Sequence, residues 1–509
     1  MTIILRVAER REAMATGTLL RGTILLTVSG LLTRTIAFLY NAYLIRITGS
    51  EGIGIYQMVL PLYFTMLTVS CAGIPYAVAK LVSEERSGGS ESQPRQTLLT
   101  AMMMLAVTGG FTAGVMYQAA GFLSTRTFTD PRTGLVIALL SPALFLATIS
   151  AGLRGYFAGM QKMFQVAQAQ VLDQLIHSAV AVTLVLLLAE RGIGYVAIAL
   201  AIGMISGETT ALAVLLGSLA RHRHKHEDGR REGARSRDGQ HTPMEPERWY
   251  KTLRRSSGWQ TALPLRILKL AVPLAIGSVI AGAVQSVNTV IIPARLVKGG
   301  LAVQEATAQL GQLAGIAFPL MMFPNIINMA LATNLVPSIS RALAAKDYQT
   351  VKRQTQKAVN LTIFLGLPVS SIIAVLSRPI CSLIFGFPEA APVVTLTALG
   401  APFLYVWQTT AGILQGLGKP GLSVRSYVIG TLADTAIVYP LAAMPGIGIK
   451  GAAISSTINC IVGAVLNLKY LFKLTGFRLD PKTQLLRPAL ISLVLTLSAY
   501  WLWRVLGAS

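Results

Sequence analysis

Apolar runs long enough to cross a lipid bilayer recur thirteen times in this chain. They cover residues 22–45, 53–82, 97–120, 133–155, 166–189, 194–219, 268–297, 310–337, 358–376, 391–414, 423–444, 449–471 and 486–505. About 20 such residues span the hydrocarbon core as a helix. Lipid offers the backbone no hydrogen-bond partner, so each spanning segment must satisfy its own amides and carbonyls. The fold class that follows is all-α, a polytopic membrane protein of about 13 spans. Composition agrees: 13% of the 509 residues are charged, against about 25% in soluble proteins. The first run is too long for a signal-peptide core and no small-residue cleavage site follows it, so it is read as a retained first span.

Lysine and arginine set the orientation. With the N-terminus in the cytoplasm, 34 of the 44 basic residues fall on the inner side and nine on the outer, and Arg34 lies within the first span. The chain is therefore expected in the bacterial plasma membrane with its N-terminus cytoplasmic. The same distribution accounts for the net charge of +23. Basic residues beside spans attract anionic headgroups, so membrane lipids are expected partners and nucleic acid is not.

One long hydrophilic stretch interrupts the apolar runs. Residues 221–265 are charged and glycine-rich and read as a disordered cytoplasmic linker. It separates an N-terminal six-helix lobe (1–220) from a C-terminal one (266–472), and 473–509 adds an extra helix. The halves echo each other. Gly155 ends the fourth span and Asp173 follows 18 residues later; Gly416 ends the tenth and Asp434 follows 18 residues later. Gly73-Ile74-Pro75 closes the second span as Leu335-Val336-Pro337 closes the eighth. Two six-helix bundles related by a pseudo-twofold, facing each other across a cavity, form a transporter plan.

Ionisable groups at membrane depth cost roughly 2.5–3.5 kcal/mol on insertion scales and so mark function by default. Four stand out: Arg34, Asp173, Glu208 and Asp434. Arg34, between Thr33 and Thr35, would present a cation to an anionic substrate. Asp434, beside Thr431 and Thr435, suits a sodium ion or a proton relay. Glu208 sits among hydroxyls at the sixth span. Asp173, with His177 one turn on, fits a surface or gate pair, and Arg154 is the second gate candidate.

Other chemistries find little footing. The nearest string to a phosphate-binding loop, Gly412 to Pro420, has the wrong spacing and a proline where the magnesium-binding hydroxyl belongs. The three cysteines are far apart and make no metal-ligand pattern, and the histidines at 222, 224 and 226 lie in a solvated tract. A membrane glycosyltransferase would need acid and base carboxylates in a wet outer site. The outer carboxylates here are scattered on short loops, so the protein is read as no enzyme.

The stretch Leu31 to Gly49, with Arg34, Asn41 and Arg46, resembles the first helix of the multidrug/oligosaccharidyl-lipid/polysaccharide exporter superfamily. Gly52 to Gln57, Gly73 to Glu84, Leu153 to Phe157, Leu335 to Ser340 and Gly412 to Gly416 look most like its stage V sporulation protein B branch, over roughly residues 18–490. The resemblance implies a flippase working by alternating access. Its cargo would be an undecaprenyl-pyrophosphate-linked saccharide such as lipid II, and it would be driven by an ion gradient or the membrane potential. A cation-coupled drug antiporter of the same fold is the alternative. Arg34 matches the first-helix arginine proposed to meet the diphosphate, with Asn41 and Glu208 as further cavity residues. The second first-helix arginine of the lipid II flippases is Tyr40 here, which implies a less cationic cavity. The branch's sodium site falls on Asp434, with Asn288 and Thr457 as companions; sodium or a proton is the implied coupling ion, with no other cofactor. A fourteenth helix is usual, whereas this chain stops after the thirteenth. The protein is read as a monomer.

Overall fold

The computed structural model of the chain describes residues 2–87, 92–235, 257–477, 479–480 and 482–506. Among the described residues, seven α-helices make the first half: α1 (Thr2–Thr48), α2 (Glu51–Cys71), α3 (Ile74–Ser87), α4 (Ser92–Arg126), α5 (Thr133–Gly159), α6 (Met163–Leu188) and α7 (Ile193–Arg235). The second half runs α8 (Ser257–Lys298), α9 (Val303–Gly311), α10 (Asn325–Ala344), α11 (Tyr348–Val375), α12 (Ala391–Gly416), α13 (Pro420–Leu441), α14 (Ile449–Thr475) and α15 (Arg487–Leu506), with shorter turns between. Among the described residues there is no strand. Among the described residues, ten helical segments are long and apolar enough to cross a membrane. Helix also occupies the other three expected runs, in α8, in the stretch from α9 to α10 and in α13. Side chains such as Val107 and Phe111, each 72% exposed, would be costly in water and are at home against lipid.

Two expected spans are not continuous. Residues 53–82 break at Ala72 and Gly73, which adopt φ of 44° and 75°. Ala72 closes α2 by donating to the Thr68 carbonyl. A side chain at Gly73 would collide with the carbonyl of Ala271 on α8, so this break needs glycine for its backbone angle and for close helix approach. Residues 310–337 hold a π-helical turn, Gln312–Ala317, and a second interruption where Pro324 precedes α10. Such turns free carbonyls that a regular helix would consume.

The stretch read as a disordered linker is partly helical. α7 continues to Arg235 and α8 begins at Ser257, while 236–256 lie outside the described residues. A helix already nucleated in the membrane gains one hydrogen bond per added residue, so it propagates past the apolar boundary.

The sequence echo between the halves reappears as matching contacts. A side chain at Gly155 would strike the carbonyl of Pro75, and one at Gly416 would meet the carbonyl of Val336 at 3.0 Å. Gly416 also accepts, through its own carbonyl, a 2.9 Å hydrogen bond from the Ser340 hydroxyl. Each half thus lays the end of one helix on the backbone beside the proline of another, with only a glycine between.

At the end of the molecule where α1 stops, the two halves are pressed together. The backbones of Ser50 and Gly311 meet there, as do those of Gly54 and Thr307, with no room for a Cβ at either glycine. Arg46 donates to the Leu383 carbonyl at 2.8 Å. Thr307 reaches Asp130 at 3.2 Å, and Asp130 holds Arg132, which also binds Glu51 at 2.7 Å. The hydrogen bonds that the Arg132 guanidinium donates to Asp130, then to Glu51, hold it still more firmly protonated than usual.

Candidate functional site

Beneath this closure lies a cavity of about 470 Å³. α1 supplies Arg34, Tyr40 and Asn41 to its wall, α6 supplies Asp173 and His177, and α7 supplies Glu208. The far side comes from the second half, at Pro319, Met322, Phe323 and Ile326, around the interrupted helix. The cavity therefore spans both halves, and three of the four intramembrane charges picked out from the sequence line it.

Arg34 is exposed, and no carboxylate lies within ion-pair distance of it among the described residues. Its hydroxyl neighbours do not assist: Thr33 donates to the Ser29 carbonyl at 2.7 Å and Thr35 to that of Leu31 at 3.0 Å. The guanidinium is left with its fork of donors directed to whatever enters. Asn41, two turns further along α1, donates its amide to the Gly315 carbonyl. That carbonyl belongs to the π turn of the opposite half, so a cavity residue also ties the halves together.

Arg154, Asp173 and Glu208 form one cluster. The Arg154 Nη2 lies 3.5 Å from Asp173 Oδ2 and 3.6 Å from Glu208 Oε2. The sequence had assigned Asp173 and Arg154 to a gate and Glu208 to the cavity; the structure joins all three in one cluster, of which Asp173 and Glu208 line the cavity. What brings them there is the crossing of α6 and α7. Gly203 and Gly207 are four residues apart, the small-residue spacing that lets membrane helices approach closely. A side chain at Gly203 would meet the His177 carbonyl at 2.9 Å, and one at Gly207 would strike the Asp173 carboxylate. Sequence reasoning missed this because the three charges come from three helices, although the Gly203–Gly207 spacing was a readable sign. It missed the aromatic wall too: Tyr40 packs edge-on against His177 with ring centroids 5.5 Å apart, and the Tyr56 hydroxyl donates to the Met204 sulfur at 3.2 Å.

A second polar constellation lies apart from this wall, between α8 and α13. Asn288 donates to Asp434 Oδ2 at 2.7 Å and accepts from the Thr435 hydroxyl at 2.8 Å. Asp434 is 8% exposed. Thr431 bonds back to the Tyr427 carbonyl. Thr457 spends its hydroxyl on the Leu396 carbonyl at 2.9 Å and packs its side chain against Gly400. Of the three residues read as an ion site, the structure joins Asp434 to Asn288 and gives Thr457 a different partner.

Comparison with known proteins follows the same outline. A sequence profile described as polysaccharide biosynthesis protein matches residues 19–343, and one described as MatE matches residues 299–439. Stage V sporulation protein B of Bacillus subtilis (strain 168) is 27% identical over 481 residues, 94% of this chain and 88% of that protein. The lipid II flippase MurJ of the same organism is 25% identical over 445 residues, 83% of this chain and 77% of that protein. A solved structure of lipid II flippase MurJ in an inward closed conformation superposes with a TM-score of 0.63 at 14% identity. The superposition covers 95% of this chain and 99% of that one and shows a shared fold.

Proposed function

This chain belongs to the polysaccharide biosynthesis protein family, as a multi-pass membrane transporter of the multidrug/oligosaccharidyl-lipid/polysaccharide exporter superfamily, and from that premise we propose that it is a flippase. The cargo is an undecaprenyl-pyrophosphate-linked saccharide, with lipid II favoured, carried from the inner to the outer leaflet by alternating access. Two relatives named above support the reading: one is a lipid II flippase and the other a sporulation protein.

The observation that carries it is the unpaired, exposed Arg34 in a cavity bounded by both halves. A planar guanidinium without a protein carboxylate is suited to bidentate capture of a diphosphate. Taking the N-terminus as cytoplasmic, the closed end at Ser50 and Gly311 faces outward, so cargo loads from the inner leaflet. Reopening at that end requires the Asn41–Gly315, Arg46–Leu383 and Asp130–Thr307 contacts to part. The buried Asp434 with Asn288 is the candidate site for the coupling ion, sodium or a proton.

A cation-coupled antiporter remains a second reading, favoured by the carboxylates Asp173 and Glu208 and the aromatic rings of Tyr40, Tyr56 and Phe38 in the same wall. The test is to express the protein in cells whose own flippase is blocked and follow labelled lipid II. Arrival in the outer leaflet is expected. No transport, with drug efflux in its place, would sink the flippase reading and leave the antiporter.

A further inference from the structure

We infer that Asp173 and Glu208, which line the cavity and share Arg154 behind them, form an anionic subsite that takes a cationic group of the cargo, a primary ammonium, while Arg34 takes the anionic group. The inference rests on the flippase reading and specifies the cargo it accepts.

Charge is the first argument. Two carboxylates share one guanidinium, so with both ionised the cluster carries one negative charge more than its own arginine can neutralise. The geometry is the second. At 3.5 and 3.6 Å the pairs are ion contacts rather than tight hydrogen bonds. Buried atoms are left over: Arg154 Nε and Nη2, Glu208 Oε2 and His177 Nε2 are enclosed, and no hydrogen-bond partner reaches them. Groups enclosed in this way seldom stay unsatisfied, because each forfeits its water for nothing in return. A ligand donor would satisfy the two acceptors among them, Glu208 Oε2 and an unprotonated His177 Nε2, while the Arg154 nitrogens, themselves donors, face the carboxylates; Glu208, Asp173 and His177 all line the cavity that Arg34 also lines.

Position is the third. Gly207 leaves Asp173 packed directly on α7, beside Glu208, so the two carboxylates are held together by backbone crossing rather than by flexible side chains. An ammonium has three donors and no acceptor, which suits two carboxylates and a neutral imidazole nitrogen. Arg154, entering from α5, keeps the pair from repelling each other when the site is empty. The cavity is then bipolar: it suits a headgroup carrying both a diphosphate and an amine, and it discriminates against one whose amine is capped.

The experiment compares two fluorescent undecaprenyl-pyrophosphate-linked saccharides in proteoliposomes, identical except that one headgroup bears a free primary amine and the other its N-acetylated form. In the wild type the free-amine cargo is expected to move about tenfold faster, the worth of one charge-assisted hydrogen bond. Glu208→Gln and, as an independent variant, Asp173→Asn are each expected to bring that ratio close to one. A ratio that stays at its wild-type value in both variants overturns the inference, since both cargoes then lose alike, as a structural role predicts. So does a ratio near one in the wild type. Loss of sodium or pH dependence in the variants with the ratio intact also overturns it and makes the cluster an inorganic-cation site. If the wild type moves neither cargo, the flippase reading falls, and this inference with it.

Discussion

Asn288 and Asp434, 146 residues apart in sequence, are joined by a 2.7 Å hydrogen bond from amide to carboxylate. The Asn288 carbonyl oxygen in turn accepts from Thr435, so the amide orientation is set from both sides and the carboxylate is held at one place on α13. A preset carboxylate with an oxygen-rich neighbour is what a small cation needs.

Asp434→Asn is therefore expected to abolish any sodium dependence of transport while leaving a folded protein, because the shape is kept and only the charge is lost. A sodium titration of cargo translocation measures it. Transport with the same sodium dependence in the variant would remove Asp434 from ion coupling.

Arg34 is expected to act on cargo and not on the fold, since no ion pair depends on it. Arg34→Gln should slow translocation roughly 10- to 100-fold, corresponding to about 1.5–3 kcal/mol for hydrogen bonds to a charged group. Arg34→Lys should recover only part of this, because lysine keeps the charge and loses the fork. Thermal denaturation of both variants should match the wild type.

Removing Arg154 has the opposite signature. Arg154→Ala leaves Asp173 and Glu208, with side chains 22% and 12% exposed, facing each other without a counter-charge. A loss of about 1–3 kcal/mol is expected, less than for a fully buried pair because solvent reaches the site. Adding Glu208→Gln to that variant should restore part of the stability, which a double-mutant cycle on melting temperature reads directly.

The two glycines at the closed end make a mechanical prediction. Gly54→Val and Gly311→Val place side-chain atoms where the Thr307 and Ser50 backbones now lie, so each variant should keep the halves apart there. Cysteines placed beside the cavity should become reactive to a membrane-impermeant reagent from the outer side. Reactivity equal to that of the parent would show that this end does not seal the cavity.

Much of the architecture was legible in the sequence because lipid imposes a simple rule: each apolar run must become a helix. Every one of the thirteen runs is helical. The places where the reading departs from the structure have local causes. Gly73 breaks the second run because its positive φ and its approach to Ala271 matter more than hydropathy. Pro324 and the π turn at Gln312–Ala317 do the same in the eighth. Neither event changes how apolar the stretch is, so a hydropathy count passes over both.

The residue choices divide in a similar way. Asp434, Glu208, Asp173 and Arg34 announced themselves because a charge at membrane depth is costly wherever it sits. Arg154, close to the end of its run, stands out in the sequence as a gate candidate beside Asp173, without Glu208 as its second partner. Thr457 is a companion of Asp434 only as the family resemblance implies, and its hydroxyl is taken by the Leu396 carbonyl.

By itself, then, the sequence determined the helical class, the approximate spans, the echo between the halves and which charges stand at membrane depth, since these depend on the composition and spacing of single segments in lipid. Only the tertiary structure decided which charges meet. It drew Arg154, Asp173 and Glu208 into one cluster, left Arg34 without an ion-pair partner among the described residues and set Asn288 on Asp434. Those outcomes depend on how helices cross, and crossing is governed by close backbone contact at glycines such as Gly155, Gly207 and Gly416, whose partners lie far away in the chain.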